Sequence, residues 1–319
     1  MTNDVRMTPG PGAVDERGPR LRIRPGRPDP VESSRYFNAL SSPTDRVYES
    51  YFEETYGVFW AYLKSTCPPT FTHEVISELR QGQREVRSRV QRQLASGEAH
   101  RVRYLIFGSR IPDVFSLGGD LKLITQCIAK RDRRTLMHYA TACVDVVHTS
   151  ATNYGLPVTT ISLVQGQALG GGFEAALAAN VVVAERHCKM GLPEVLFNLF
   201  PGMGAYQLLN RRLSPVQAER FISSGRIYSA EELYKMGLVD VLADTGKGQD
   251  AVWNYIRSND RQFRGHQVLR QAIDAATSGL DRQALQRAVE IWVDAALSLT
   301  QRDQQTMAYL LRAQERKLA

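Results

Sequence analysis

Three consecutive glycines, Gly170, Gly171 and Gly172, set the tightest constraint on what this chain can fold into. They follow a β-branched apolar run, Val158 to Val164, and lead directly into the alanine-rich segment Phe173-Glu-Ala-Ala-Leu-Ala-Ala-Asn180. The pattern predicts a strand, a glycine turn and a helix that carries Glu174 in its first turn. Glycines at such a turn let a ligand approach bare backbone N–H groups, and the helix start adds unpaired donors and a positive dipole end. A turn of this kind suits negative charge developing on oxygen and reads as half of an oxyanion hole.

A second turn of the same type lies some fifty residues upstream. Arg103-Tyr-Leu-Ile-Phe-Gly108 has the composition of a short buried strand, and the loop Phe115-Ser-Leu-Gly-Gly-Asp120 leads into a helical region from Leu121 to about Val147, with Asp120 suited to its N-cap. Together the turns would offer the N–H groups of Gly119 and Gly171 to one oxygen, the arrangement an acyl oxyanion requires. Downstream, a buried strand over Asn180-Val-Val-Val-Ala184 precedes Gly191-Leu-Pro-Glu194 and an apolar stretch. Burial of Glu194 there would raise its pKa and favour a form able to donate a proton, whereas Glu174 beside a helix N-terminus should ionise more easily. Different environments would then give one acid and one base from two identical side chains.

The remaining segments frame these turns. Val47-Tyr-Glu-Ser-Tyr-Phe52 and Val58-Phe-Trp-Ala-Tyr-Leu63 predict an antiparallel hairpin around Glu54-Thr-Tyr-Gly57. Phe71 to about Ala99 predicts an amphipathic helix, weakened at its middle by Gly82. Strand-like runs alternate with helical ones up to Val241, and none stands out between Ala251 and Leu318. The expected class is α/β with a helical C-terminal region. Residues Met1 to about Pro43 contrast with this: six prolines and four glycines fall in the first thirty positions, with few apolar side chains. The expectation is a flexible arm, disordered or ordered by a partner.

Length and composition, 319 residues with 43% hydrophobic and 23% charged, fit one main domain with extensions. No apolar run reaches eighteen residues and the N-terminus has no charged region followed by an apolar one, so a cytoplasmic protein is expected, without a membrane span. Cys67, Cys127, Cys143 and Cys188 are widely spaced with no CxxC pair, which argues for buried thiols and against a metal site. The net charge of +7 invites an acidic partner. Zinc-ligand spacing, aromatic RNA-binding runs and a dense basic block are all missing, so nucleic acid is not expected. An acidic carrier protein, a phosphorylated cofactor or a merely solvated surface accounts for the same charge. Ser162, His138 and His148 do not make a serine hydrolase, since no Gly-x-Ser-x-Gly elbow is present.

Phe115-Ser-Leu-Gly-Gly-Asp-Leu121, Gln165-Gly-Gln-Ala-Leu-Gly-Gly-Gly-Phe-Glu174, Gly191-Leu-Pro-Glu194, Phe200-Pro-Gly-Met-Gly204 and Ile227-Tyr-Ser-Ala-Glu-Glu-Leu-Tyr-Lys-Met-Gly-Leu-Val-Asp240 resemble the successive motifs of the crotonase (enoyl-CoA hydratase/isomerase) superfamily. Within it the closest resemblance is to the bacterial diffusible-signal-factor synthases, through Leu169 to Leu177, Met190 to Phe197, Leu199 to Tyr206 and Glu290-Ile-Trp-Val-Asp294. The resemblance implies a spiral of repeated ββα units over residues 46–245 and C-terminal helices over 246–319 that cover the acyl site and help build a homotrimer or dimer of trimers. Residues 1–45 match no motif.

The resemblance also implies roles. Glu174 and Glu194 would do acid/base work, Gly119 and Gly171 would hold the thioester oxygen, and Leu169, Gly170, Trp292, Met307 and Leu310 would contact substrate. For the three C-terminal residues, plain core packing is the alternative. No cofactor is implied. The expected activity is dehydration of a 3-hydroxyacyl thioester on acyl carrier protein, followed by thioester hydrolysis to a cis-2-unsaturated fatty acid signal. An enoyl-CoA hydratase acting on CoA thioesters is the alternative enzyme, and a module that binds a sensor kinase, a partner known for the synthases, is the alternative from another class.

Overall fold

The hairpin and the glycine turns fall into place as parts of two sheets that the chain visits alternately. The computed structural model describes residues 38–39, 47–97, 101–277 and 280–315. The arm expected over residues 1–45 lies outside them apart from a two-residue strand, β1 (Asn38–Ala39), which pairs with β2 (Tyr48–Glu53). The expected hairpin joins β2 to β3 (Val58–Leu63), Tyr48 opposite Leu63. Helix α1 (His73–Ser96) follows, capped by the Thr72 hydroxyl, which accepts from the Val75 N–H, and ended by Gly97 at φ 71. Gly82 does not interrupt it. A Cβ there would lie 2.9 Å from the Tyr48 ring, so the glycine lets the strand pack close to the helix.

Three strand pairs then repeat one manoeuvre. The pairs are β4 (Tyr104–Ser109) with β5 (Val114–Ser116), β6 (Thr159–Val164) with β7 (Gln167–Leu169), and β8 (Val181–Glu185) with β9 (Lys189–Gly191). The first member of each pair joins a seven-stranded sheet and the second a four-stranded one. Helices α2 (Leu121–Lys130) and α3 (Arg133–Ala151) follow the first pair, and α4 (Gly171–Leu177) follows the second. After the third come α5 (Ala205–Asn210), α6 (Pro215–Ser223), β10 (Ile227–Ser229), α7 (Ala230–Lys235) and β11 (Val241–Ala243). Large-sheet neighbours from β3 to β11 are parallel, as crossovers through a second sheet and a helix require. Every residue of β6 and β8 is buried, the pattern of strands covered on both faces.

The helical region expected from Leu121 to about Val147 consists of two helices. Arg131 adopts φ 52 and its N–H returns to the Ile128 carbonyl, while the Asp132 side chain accepts from the Thr135 N–H and starts α3 anew. Beyond β11 the described elements are helices: α8 (Gly248–Asn259), α9 (Phe263–Ala276), α10 (Arg282–Leu297) and α11 (Gln301–Glu315). Helix α10 packs on α3, and α11 on α2 and on the short helical turn Glu194–Phe197. Among the described residues, no helix is long and apolar enough to cross a membrane.

Candidate active site

The site is a consequence of the small sheet. Strands β5, β7 and β9 lie side by side and parallel, so the segments leaving their C-terminal ends converge. Those segments carry Gly118-Gly119, Gly170 to Glu174, and Leu192 to Glu194 respectively. Ligands in α/β proteins bind where strand ends converge in this way. The Gly170 N–H donates to the Gly191 carbonyl at 2.9 Å, tying the second segment to the third. Gly170 itself has φ 54, and a Cβ on it would lie 2.5 Å from Oε1 of Glu194, so the absent side chain is the space the carboxyl occupies. The first segment abuts the second: a Cβ on Gly118 would sit 2.9 Å from the Gly171 nitrogen.

A cavity of about 80 Å³ lies at this junction. Its lining includes Gly119, Gly170, Gly171, Glu174, Glu194, Trp292 and Met307, seven of the nine residues singled out from the sequence. The other two are placed elsewhere. Leu169 lies on β7 and Leu310 on α11, each packed against the main core outside this lining. Trp292 meets the loop that precedes α5, where a Cβ on Gly202 would fall 2.8 Å from its indole nitrogen. Met307 is fully buried, and Asn198 donates to Asp303 at 2.7 Å, so α11 is fastened beside the cavity.

Glu174 is completely buried. Its Oε1 accepts from the Met203 and Ala205 N–H groups, both at 2.8 Å, while Oε2 is sheltered from solvent and has no partner among the described residues. Glu194 is half-buried as a residue, but its Oε2 is likewise sheltered and unpartnered. Among the described residues, no Lys or Arg lines the cavity. Burial therefore pushes both carboxyls up, Glu194 to about 7. Glu174 rises well above its usual value, through burial first and the facing Glu194 second, against the two N–H donors that oppose the shift. The expectation that Glu174 ionises readily at its helix N-terminus is thus reversed. Helix α4 has only seven residues, and complete burial beside a second carboxyl outweighs its dipole. Neither carboxyl ionises as readily at neutral pH as an exposed glutamate does.

The amides of Gly119 and Gly171 both border the cavity, and neither donates to another group of the described chain. Tyr139, on α3, holds the Gly119 segment and is a residue that sequence reading missed. Its hydroxyl donates to the Phe71 carbonyl at 2.7 Å and accepts from the Asp120 N–H at 2.8 Å. Nothing near Tyr139 in the sequence marks it, because both partners come from other segments. Asp120 caps α2 as expected, its carboxyl accepting from the Leu123 N–H at 3.0 Å. Cys143 lines the cavity too, but burial pushes its thiol up to about 12, which leaves it un-ionised. Ser162 is buried in β6, and His148 meets the Leu280 carbonyl at 3.1 Å.

The model of the enoyl-CoA hydratase/isomerase family matches residues 85–316. The chain belongs to that family. Among curated relatives, mouse mitochondrial methylglutaconyl-CoA hydratase is 32% identical over 183 residues, 57% of this chain and 56% of the relative. The chain thus matches little more than half the length of that relative. Solved structures agree on the fold over most of the chain. Human mitochondrial delta3-delta2-enoyl-CoA isomerase superposes with TM-score 0.69 at 18% identity, covering 85% of this chain and all of that one (100%). An enoyl-CoA hydratase from Geobacillus kaustophilus gives 0.62 at 18%, covering 85% and 95%. The α/β spiral of paired strands with a helical C-terminal region is therefore the family fold.

Proposed function

We propose that this chain adds water to, or removes it from, the α,β position of an acyl thioester, as enoyl-CoA hydratases do. The observation that carries the reading is the pair Glu174 and Glu194, each presenting one buried, unpartnered carboxyl oxygen at a cavity bordered by the Gly119 and Gly171 amides. Loss of water from a 3-hydroxyacyl thioester removes an α-proton, places enolate charge on the carbonyl oxygen and delivers a proton to the departing hydroxyl. One carboxylate, one carboxylic acid and two N–H donors meet those needs. Isomerisation moves a single proton between carbons and needs only one acid, so two carboxyls favour the hydratase direction. The methylglutaconyl-CoA hydratases among the relatives support a CoA thioester as substrate.

The test is hydration of a 2-enoyl-CoA by the purified full chain, followed as loss of the conjugated thioester absorbance. Glu174→Gln and Glu194→Gln should each lower the rate by about a hundredfold or more with the fold intact. Near-normal hydration by both variants would refute the assignment.

A finer reading rests on the motif resemblance to the diffusible-signal-factor synthases: the acyl donor is an acyl carrier protein thioester, and the same amides hold the oxyanion while the thioester is hydrolysed. The net charge of +7 supports an acidic carrier. Arg80 and Arg133 are engaged by Asp145 and Asp294, while Arg84 and Arg87 on α1 are exposed and available to it. Matched CoA and carrier-protein thioesters, assayed for free acid, decide between the donors; equal kcat/KM at low salt and no acid release would remove the finer reading.

A further inference from the structure

A second, larger cavity of about 160 Å³ lies between α1, α3 and the large sheet, and it shares no lining residue with the catalytic one. Native interiors are packed about as densely as organic crystals, so a void of this volume is a standing loss of stability unless something fills it. The sequence builds the space: Ala61, Gly82, Ala175, Ala178 and Ala179 line it, small residues drawn from three different elements and the turn after one of them. Its walls are mostly apolar, formed by Phe59, Leu79, Val86, Leu105 and Val147 among others, with Ser50, Ser150, Thr160 and Ser162 between them. A dry apolar cavity of roughly 150 Å³ accommodates a benzene molecule, so this one matches about six carbons of an alkyl chain.

Among the described residues, Arg89 is the cation of its lining. Glu85, exposed, and Arg89, half-buried, mark where the lining meets solvent. Glu85 is held by Gln81 at 2.9 Å and by the Tyr48 hydroxyl at 3.4 Å. The Arg89 guanidinium rests over the Phe52 ring at 5.0 Å, and its Nε is sheltered from solvent with no acceptor among the described residues. Of the neighbouring polar groups, Gln83 donates to the Val146 carbonyl at 2.9 Å and to Ser150 at 3.1 Å. A largely apolar chamber with a guanidinium at its rim whose Nε has no acceptor among the described residues has the recognition chemistry of an amphiphile with an anionic head.

We propose that this cavity is a binding site for a free medium-chain carboxylic acid, its alkyl chain in the chamber and its carboxylate on Arg89. Helix α4 separates the two cavities: Glu174 faces one, and Ala175 and Ala178 line the other. A bound acid therefore presses on the helix that carries a catalytic carboxyl without entering the catalytic cavity, and it sits at a site separate from the thioester.

The experiment is calorimetric titration of the full chain with octanoate and, separately, with octan-1-ol. Octanoate should bind one to one in the millimolar range or tighter. Arg89→Gln should weaken octanoate at least about tenfold and leave octan-1-ol within about twofold. Ala61→Leu, which fills the chamber from β3, should abolish binding of both. Absence of octanoate binding, binding that survives Ala61→Leu in a folded variant, or equal loss of acid and alcohol on Arg89→Gln would overturn the proposal. None of these outcomes depends on turnover, so they stand apart from the test of the hydratase reading.

Discussion

Replacing Glu194 by Gln should make the protein more stable while making it inactive, and the gain should appear only above acidic pH. The native fold raises this carboxyl from 4.5 to about 7, with burial as the cause. A carboxyl whose folded pKa exceeds its unfolded one does not oppose folding below about pH 4.5, where both states hold the proton. As pH rises from about 4.5 to about 7 the unfolded chain is ionised while the native one still holds its proton, so stability is lost across that window and the loss levels off once the native carboxyl also ionises. At 1.36 kcal/mol per unit the loss is on the order of 3 kcal/mol. This is an upper figure, since the side chain keeps some contact with solvent. Gln keeps the shape and has nothing to ionise. It also removes the charge that faces Glu174, which relieves the second carboxyl in the same direction. Urea unfolding followed by tryptophan fluorescence should therefore place the variant near the wild type at pH 4.5 and about 2–3 kcal/mol above it at pH 8. Hydration at pH 8 should meanwhile fall by about a hundredfold. A variant no more stable than the wild type at pH 8 would show that Glu194 is not held in a desolvated position, and the acid/base pairing would lose its physical basis.

Three further substitutions probe the parts around the pair. Tyr139→Phe strands the Phe71 carbonyl and the Asp120 N–H, so it should cost about 2–4 kcal/mol in a denaturant titration and lower kcat by about tenfold through the Gly119 segment; wild-type kcat would mean that this segment does not depend on the hydroxyl. Gly170→Ala forces a Cβ at φ 54 against Glu194, so it should cost about 1–3 kcal/mol and most of the activity, read by thermal melting and steady-state rates. Trp292→Ala should lower stability by about 3–5 kcal/mol and shift the acyl-length preference, measured as kcat/KM over a series of 2-enoyl thioesters; an unchanged preference would return the indole to plain core packing.

The parts of the site that could be read from sequence are those that a backbone imposes on its own residues. A triple glycine after a β-branched run, a Gly-Gly-Asp turn and a Pro-Glu step are local demands, and each marks the C-terminal end of a small-sheet strand. The helix break at Arg131 was hidden because a non-glycine residue takes the left-handed position that ends α2, and no glycine announces it. Tyr139 was hidden because its two partners lie 68 and 19 residues away. The order of acidity failed for the same kind of reason. Position in a first helical turn says that Glu174 should ionise readily, but its protonation is set by complete burial, by the Met203 and Ala205 amides, and by Glu194 at the end of the neighbouring strand. Gly170 connects these facts. Its missing Cβ admits the Glu194 carboxyl against the start of the very helix that carries Glu174, so the glycine that sequence reading assigns to a turn is also what seats the second carboxyl where its charge raises the pKa of the first.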